Sequence, residues 1–220
     1  APSSYRPESV DSLELGLKTS SSDGRLRVNV SVFDADYDDL QIIVRESLPP
    51  RTVTAGAARV RGGDLELQGF ASADWEIGFS AGHLDTQYRR RNQPAQDSGV
   101  RLDNKLANSP AWSVAAGTTY RLGLDSLGEV TARLDWAWQD TEYNDAVNSP
   151  QIRQSAFHRV NASLAFAPWE SDWQLTVAMR NLFDETYLVS GNSAFDTTAA
   201  YVEQVYGRPR EFLVSLAYEF

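Results

Sequence analysis

A chain of 220 residues can bury a sizeable core, and its formal charge of −10 argues against nucleic acid as a partner, which needs clustered Lys and Arg. With no cysteine there are neither disulfides nor thiolate metal sites. No run approaches the roughly 18 consecutive apolar residues of a membrane-spanning helix, which still leaves a β-barrel, whose strands alternate and give unremarkable hydropathy.

Residues 1–8 are polar, contain Pro2 and Pro7, and show no basic region followed by an apolar stretch, so they read as a loop. Leu13, Leu15 and Leu17 alternate with Glu14, Gly16 and Lys18, a first strand closed by the turn Ser21-Ser22-Asp23-Gly24. A second strand rises through Leu26, Val28, Val30 and Val32 and runs on to Val44, its outer part too polar for lipid. After a loop around residues 48–57, residues 58–69 form a strand in which Gly62-Gly63 signals a bulge or a close backbone approach. Trp75, Ile77, Phe79 and Ala81 open the next strand, which continues polar to Arg89-Arg90-Arg91, and residues 92–109 read as a true loop.

Strands follow at residues 112–121 and 130–139, the latter with Val130, Ala132, Leu134, Trp136 and Trp138 on one face. After a polar loop at 142–154 come Val160, Ala162, Leu164 and Phe166, then Trp173, Leu175, Val177 and Met179. A polar loop at 190–205 leads to the closing strand, where Phe212, Val214, Leu216, Tyr218 and Phe220 share a face.

The expected fold is all-β: an antiparallel transmembrane β-barrel segment of about nine strands, with short periplasmic turns alternating with long extracellular loops. Ring placement agrees. Trp75, Tyr120, Trp169, Trp173, Tyr218 and Phe220 sit by short turns or the terminus, and Trp112, Trp136 and Trp138 by long loops, two girdles about nine residues apart. The opposite faces carry Glu14, Lys18, Arg27, Glu66, Glu76, Arg133, Asp135, Arg159 and Arg180. A dry sandwich core would bear several kcal/mol for each unpaired charge, whereas a wet lumen carries it readily.

Catalytic and metal sites find no support: His83 and His158 lie far apart and read as solvated or interfacial imidazoles, and no nucleophile elbow or phosphate loop occurs. Asp34, Asp36, Asp38 and Asp39 match no Ca²⁺-loop register and read as a solvated strand end. Arg89-Arg90-Arg91 reads as a solvated or lipopolysaccharide-facing tip.

Several stretches resemble one family. The entry Tyr5-Arg6-Pro7-Glu8-Ser9 before Leu13-Glu14-Leu15-Gly16-Leu17-Lys18, the strand Ala57-Ala58-Arg59-Val60-Arg61-Gly62, and Asn108-Ser109-Pro110-Ala111-Trp112 are similar to barrel segments of TonB-dependent outer-membrane receptors. So is the ending Asn181-Leu182-Phe183-Asp184-Glu185-Thr186-Tyr187 with Tyr206-Gly207-Arg208-Pro209-Arg210 and terminal Phe220. The resemblance implies that residues 1–220 are the C-terminal portion of such a barrel, without the signal peptide, TonB box or plug domain that precede it in the family. It further implies uptake of a scarce ligand such as a ferric siderophore, energised through TonB by way of the plug, with no cofactor of its own. Expected partners are outer-membrane lipid and lipopolysaccharide, the missing barrel strands and the barrel-assembly machinery, with Tyr218 and Phe220 as assembly signal. Ligand-lining candidates are Tyr88, Arg89, Arg91, Gln139 and Arg153. The rival reading is a small self-contained outer-membrane barrel with a structural, adhesive or passive-pore role.

Overall fold

The computed structural model describes residues 6–44, 50–197 and 200–219; Phe220 lies outside them. Strands β1 (Ser9–Ser20), β2 (Leu26–Val44), β3 (Arg51–Phe70) and β4 (Trp75–Arg91) are followed by a short helix, α1 (Gln93–Asp97). Then come β5 (Trp112–Leu124), β6 (Gly128–Gln139), β7 (Glu142–Tyr143), a 3-10 turn (Pro150–Ile152) and β8 (Arg153–Gln154). The chain continues with β9 (Phe157–Ala167), β10 (Trp173–Arg180), β11 (Leu188–Ser193), β12 (Val202–Tyr206) and β13 (Glu211–Tyr218).

Nine strands form one antiparallel sheet in the order β1-β2-β3-β4-β5-β6-β9-β10-β13, so each is hydrogen-bonded to the next in sequence except where a loop hairpin intervenes. Period-two alternation sorts its side chains into two faces. On one, large apolar groups lie open: Leu13, Leu15 and Leu17 on β1, Leu164 on β9, Val214 and Leu216 on β13. Contiguous exposed apolar surface of this extent needs a nonaqueous neighbour. The other face carries Glu66, Glu76, Arg133, Asp135 and Arg159, which line a common recess.

The aromatic residues mark the two borders of the apolar face. At the short-turn end Trp75 meets Tyr120 edge-on at 6.4 Å, with Trp75 Nε1 donating to the Thr118 hydroxyl at 2.7 Å. Trp169 donates from Nε1 to the Asp125 carbonyl at 2.9 Å, and Trp173 packs edge-on against Phe166 at 5.7 Å. At the other border His83 packs against Trp112 at 4.4 Å while its Nδ1 lies 2.8 Å from the Ala111 carbonyl. Trp136 and Trp138 are Cα partners of Ala116 and Val114, so they continue the same face. Trp75 and His83 are separated by about eight residues, or about 26 Å of strand and about 20 Å of bilayer normal at a 40° tilt.

Four expected loops need correction. The loop read at 48–57 is largely strand: β3 begins at Arg51, and Thr52 and Thr54 alternate with Val53 and Ala55. The other three long loops carry structure of their own: α1 within 92–109, the β7-β8 ladder within 142–154, and the β11-β12 hairpin within 190–205. Gly62 marks a close approach and not a bulge, since a Cβ there would lie 2.5 Å from the His83 carbonyl and 2.6 Å from the Phe33 ring. The register shifts fall elsewhere, beside Asp39 at φ 53°, and between Ala57 and Ala58.

Candidate functional site

The inner face of β3 to β9 is a polar wall around a bay of about 400 Å³. Its floor is small, with Gly78, Ser80, Ala115 and Gly117, because successive inward positions there lack bulk. Its rim is charged and each charge is held. Arg133 grips Asp135 through Nε at 2.8 Å and Nη2 at 2.7 Å, a bidentate pair that needs only the two-residue offset along one face of β6. Glu66 accepts from the Asn29 amide at 2.9 Å and Glu76 from the Gln68 amide at 3.0 Å.

Toward the long-loop end Arg159 lies 5.1 Å from the Tyr187 ring centroid and donates from Nη1 to its hydroxyl at 3.3 Å, while Phe157 stacks on the same ring at 4.7 Å and 8°. Phe157 and Arg159 are two apart on β9, so both face inward and Tyr187 closes over them. The ring is seated by backbone. Asn181, at φ 50°, donates from its amide to the Glu185 carbonyl at 2.9 Å and the Arg208 carbonyl at 3.1 Å, and accepts from the Glu185 N–H at 2.9 Å. Asp184 accepts from the Arg210 N–H at 2.8 Å, and the Gly207 N–H donates to the Tyr187 carbonyl at 2.9 Å. Gly207 must lack a side chain, because a Cβ would fall within 2.5 Å of the Tyr187 hydroxyl oxygen. The two stretches Asn181–Tyr187 and Tyr206–Arg210 are therefore one interlocked clasp.

β2, β3 and β4 run 19, 20 and 17 residues in all, more than the 9–11 or so that cross a bilayer, and so continue above the aromatic border. Their inner faces are roofed by loop residues, making a small dry core of Ile42, Val44, Val53, Tyr88, Val100 and Ala146 among others.

The candidate ligand-lining residues divide accordingly. Tyr88 is 2% exposed within that core, so it holds the roof together and offers no surface. Arg89 lies near Asp36 at 3.7 Å, and Asp36 shares an outward row with Leu13's strand, β1; Arg89 thus points away from the bay. Arg91 donates from Nη1 to the Val100 carbonyl at 2.6 Å, tying the 92–100 loop down. Gln139 lines a second inner recess of about 380 Å³ with Phe157 and Arg159. Arg153 is exposed and pairs across the ladder with Tyr143. Beside Gln139, burial pushes the Glu142 carboxyl above its ordinary range, and a hydrogen bond from Gln139 pulls it partly back. Sequence reasoning missed the stack of Phe157, Arg159 and Tyr187; the same-face spacing of Phe157 and Arg159 was its one visible sign.

Residues 2–182 match the family model described as TonB dependent receptor-like, beta-barrel. The chain belongs to the TonB-dependent receptor family. Such receptors reside in the outer membrane of Gram-negative bacteria. Among curated relatives, the chain is 23% identical to the probable TonB-dependent siderophore receptor PiuA of Acinetobacter baumannii over 88% of its own length and 25% of the relative's. It is 24% identical to the ferripyoverdine receptor of Pseudomonas aeruginosa, covering 97% of itself and 25% of that receptor. This receptor segment thus spans about a quarter of the length of the relatives it matches. Its fold is that of the ferric yersiniabactin uptake receptor FyuA of Yersinia pestis, with TM-score 0.79, 19% identity, and coverage of 97% of this chain and 30% of that one.

Proposed function

We propose that the chain is the C-terminal barrel wall of an outer-membrane receptor that takes up a ferric siderophore, with energy supplied through TonB by way of a plug domain carried elsewhere in the receptor. The observation that carries this reading is the polar bay, walled by held charges and opening toward loops, in a chain whose relatives are named as siderophore receptors. In this reading the short turns face the periplasm and the long loops face outward. The free edges of β1 and β13 pair with the receptor's other barrel strands, and Tyr218 with Phe220 serves the barrel-assembly machinery.

Two experiments test it. Uptake of radiolabelled ferric siderophores into iron-limited cells expressing the full receptor should depend on both the receptor and TonB; uptake that persists without TonB overturns the mechanism. A single cysteine at Asp103, in the 92–109 loop, should react with an impermeant maleimide on intact cells, whereas one at Asp23 should not; the reverse pattern overturns the orientation.

A further inference from the structure

The loops at 92–109 and 142–154 are far apart in sequence, yet the hydrogen bonds of the first close only on the second. Up to Asn104 the first loop bonds within itself: the Ala95 and Gln96 N–H groups donate to the Asn92 carbonyl, the Val100 N–H to Ala95 and the Asn104 N–H to Arg101. Beyond that point its groups cross over. Asn104 Nδ2 donates to the Ala146 carbonyl at 2.8 Å, the Lys105 N–H to Asn148 Oδ1 at 2.7 Å and the Asn108 N–H to the Tyr143 carbonyl at 2.8 Å. Asn148 Nδ2 returns a bond to the Lys105 carbonyl at 2.9 Å.

Each loop turns at this seam on a left-handed asparagine, Asn108 at φ 53° and Asn148 at φ 59°, a conformation that asparagine tolerates better than most side chains. Asn148 is braced from its own side as well. Its N–H and Nδ2 both donate to the Asp145 carbonyl, at 3.3 and 3.2 Å, and the Asp145 carboxylate accepts from the Ser149 N–H at 2.8 Å. An apolar seam accompanies the polar one: Val100 of the first loop and Ala146 of the second are both buried in the core that holds Ile42 and Val53. Parting the loops would strand the cross-loop donors and wet that core in the same motion, so the seam holds or fails as a unit.

We propose that the 92–109 and 142–154 loops open and close as one body, a single leaf over the inner faces of β2 to β4, with Asn148 as the residue that joins its halves. This goes beyond the uptake proposed above, because it rests on the seam and not on what the receptor takes up. Two separate flaps would have two opening equilibria; a joined leaf has one. A contact made by either loop in the closed state therefore stabilises the other by the same amount.

Amide exchange of the full receptor in mild detergent tests this, first without any variant. The most protected amides of residues 95–104 and of residues 143–152 should share one opening equilibrium, with protection factors within about fivefold of each other; a wider gap overturns the proposal. Asn148→Gly then removes the joining side chain while keeping a residue at ease at φ 59°. Protection should fall in both loops by a common factor of about tenfold, that of one buried hydrogen bond left unmade, with β5 unchanged. Asn104→Ala cuts the seam from the other side and should lower protection of residues 143–152 as much as that of residues 95–104. A fall confined to the loop that carries the substitution, in either variant, overturns the proposal. None of these readings depends on uptake, so a receptor that fails the TonB experiment above but passes this one keeps the joined leaf and loses only the transport mechanism.

Discussion

Replacing Gly207 by alanine tests the clasp where its tolerance is least. The added Cβ would sit within 2.5 Å of the Tyr187 hydroxyl oxygen and against two ring carbons, so the ring must move. Movement costs it contacts, because Phe157 stacks on it at 4.7 Å and Arg159 lies 5.1 Å from its centroid. If the ring moves it forfeits an aromatic pair of about 0.5–1.5 kcal/mol and a cation–π contact of about 0.5–1 kcal/mol; if it stays, overpacking instead costs about 1–3 kcal/mol. A net loss of roughly 1–3 kcal/mol is therefore expected, confined to the segment between β10 and β13. Hydrogen exchange in the solubilised receptor reads this directly: amides of residues 188–206 should exchange about 5- to 150-fold faster, with β5 and β6 unchanged. In a Tyr187→Ala background the same substitution should be nearly silent, within about 0.5 kcal/mol. Unaltered exchange in Gly207→Ala, or a full penalty persisting without the Tyr187 ring, would refute the steric account.

Tyr88 and Glu142 give two further tests. Tyr88→Ala should cost about 3–5 kcal/mol of local stability by leaving a cavity in the roof core, while Tyr88→Phe should cost under about 1.5 kcal/mol; protease nicking within residues 92–108 on intact cells separates them, and equal nicking would mean the roof does not pack on this ring. The Glu142 carboxyl is raised above its ordinary 4.5 by burial, so the folded loop binds a proton more tightly than the unfolded one. Stability from this group is accordingly gained as pH falls through the raised value toward 4.5 and is lost as pH rises through it. Protection factors of residues 140–154, with the intrinsic pH dependence of exchange divided out, should rise over that interval on acidification, and Glu142→Gln should remove the rise; a change of opposite sign would contradict the assignment.

The barrel wall was legible because two-residue alternation survives wherever one face meets lipid and the other water: Leu13 to Leu17, Val130 to Trp138 and Phe212 to Tyr218 all lie on the faces their spacing indicates. Alternation fails above the bilayer, where neither face meets hydrocarbon. Pro50 and Gly56 read as a loop, yet only Pro50 lies outside β3, and Gly56 at φ 135° is accommodated inside it where a Cβ would strike the Arg90 backbone. The roof core draws Val100 and Ala146 from separate loops, a pairing that no local period encodes. Tyr88, a ligand-lining candidate from sequence, lies on the inward row and is buried in the roof core among side chains from separate loops. Arg89 falls at the irregularity beside Ala57 and Ala58, without a ladder partner there, and lies 3.7 Å from Asp36, a placement that two-residue alternation does not give.

The clasp has a bearing on how this surface can vary. Asn181, Asp184 and Gly207 fasten both feet of the segment between β10 and β13 through main-chain groups, beneath the β11-β12 hairpin. Loop closure is thus already achieved at the feet, and lengthening the tip adds only about 0.6 kcal/mol per doubling. A tip mounted on a fastened base is interchangeable: its sequence and length can be swapped while strand register below is preserved, which makes the span between residues 189 and 205 the natural place to insert new sequence on an unchanged wall.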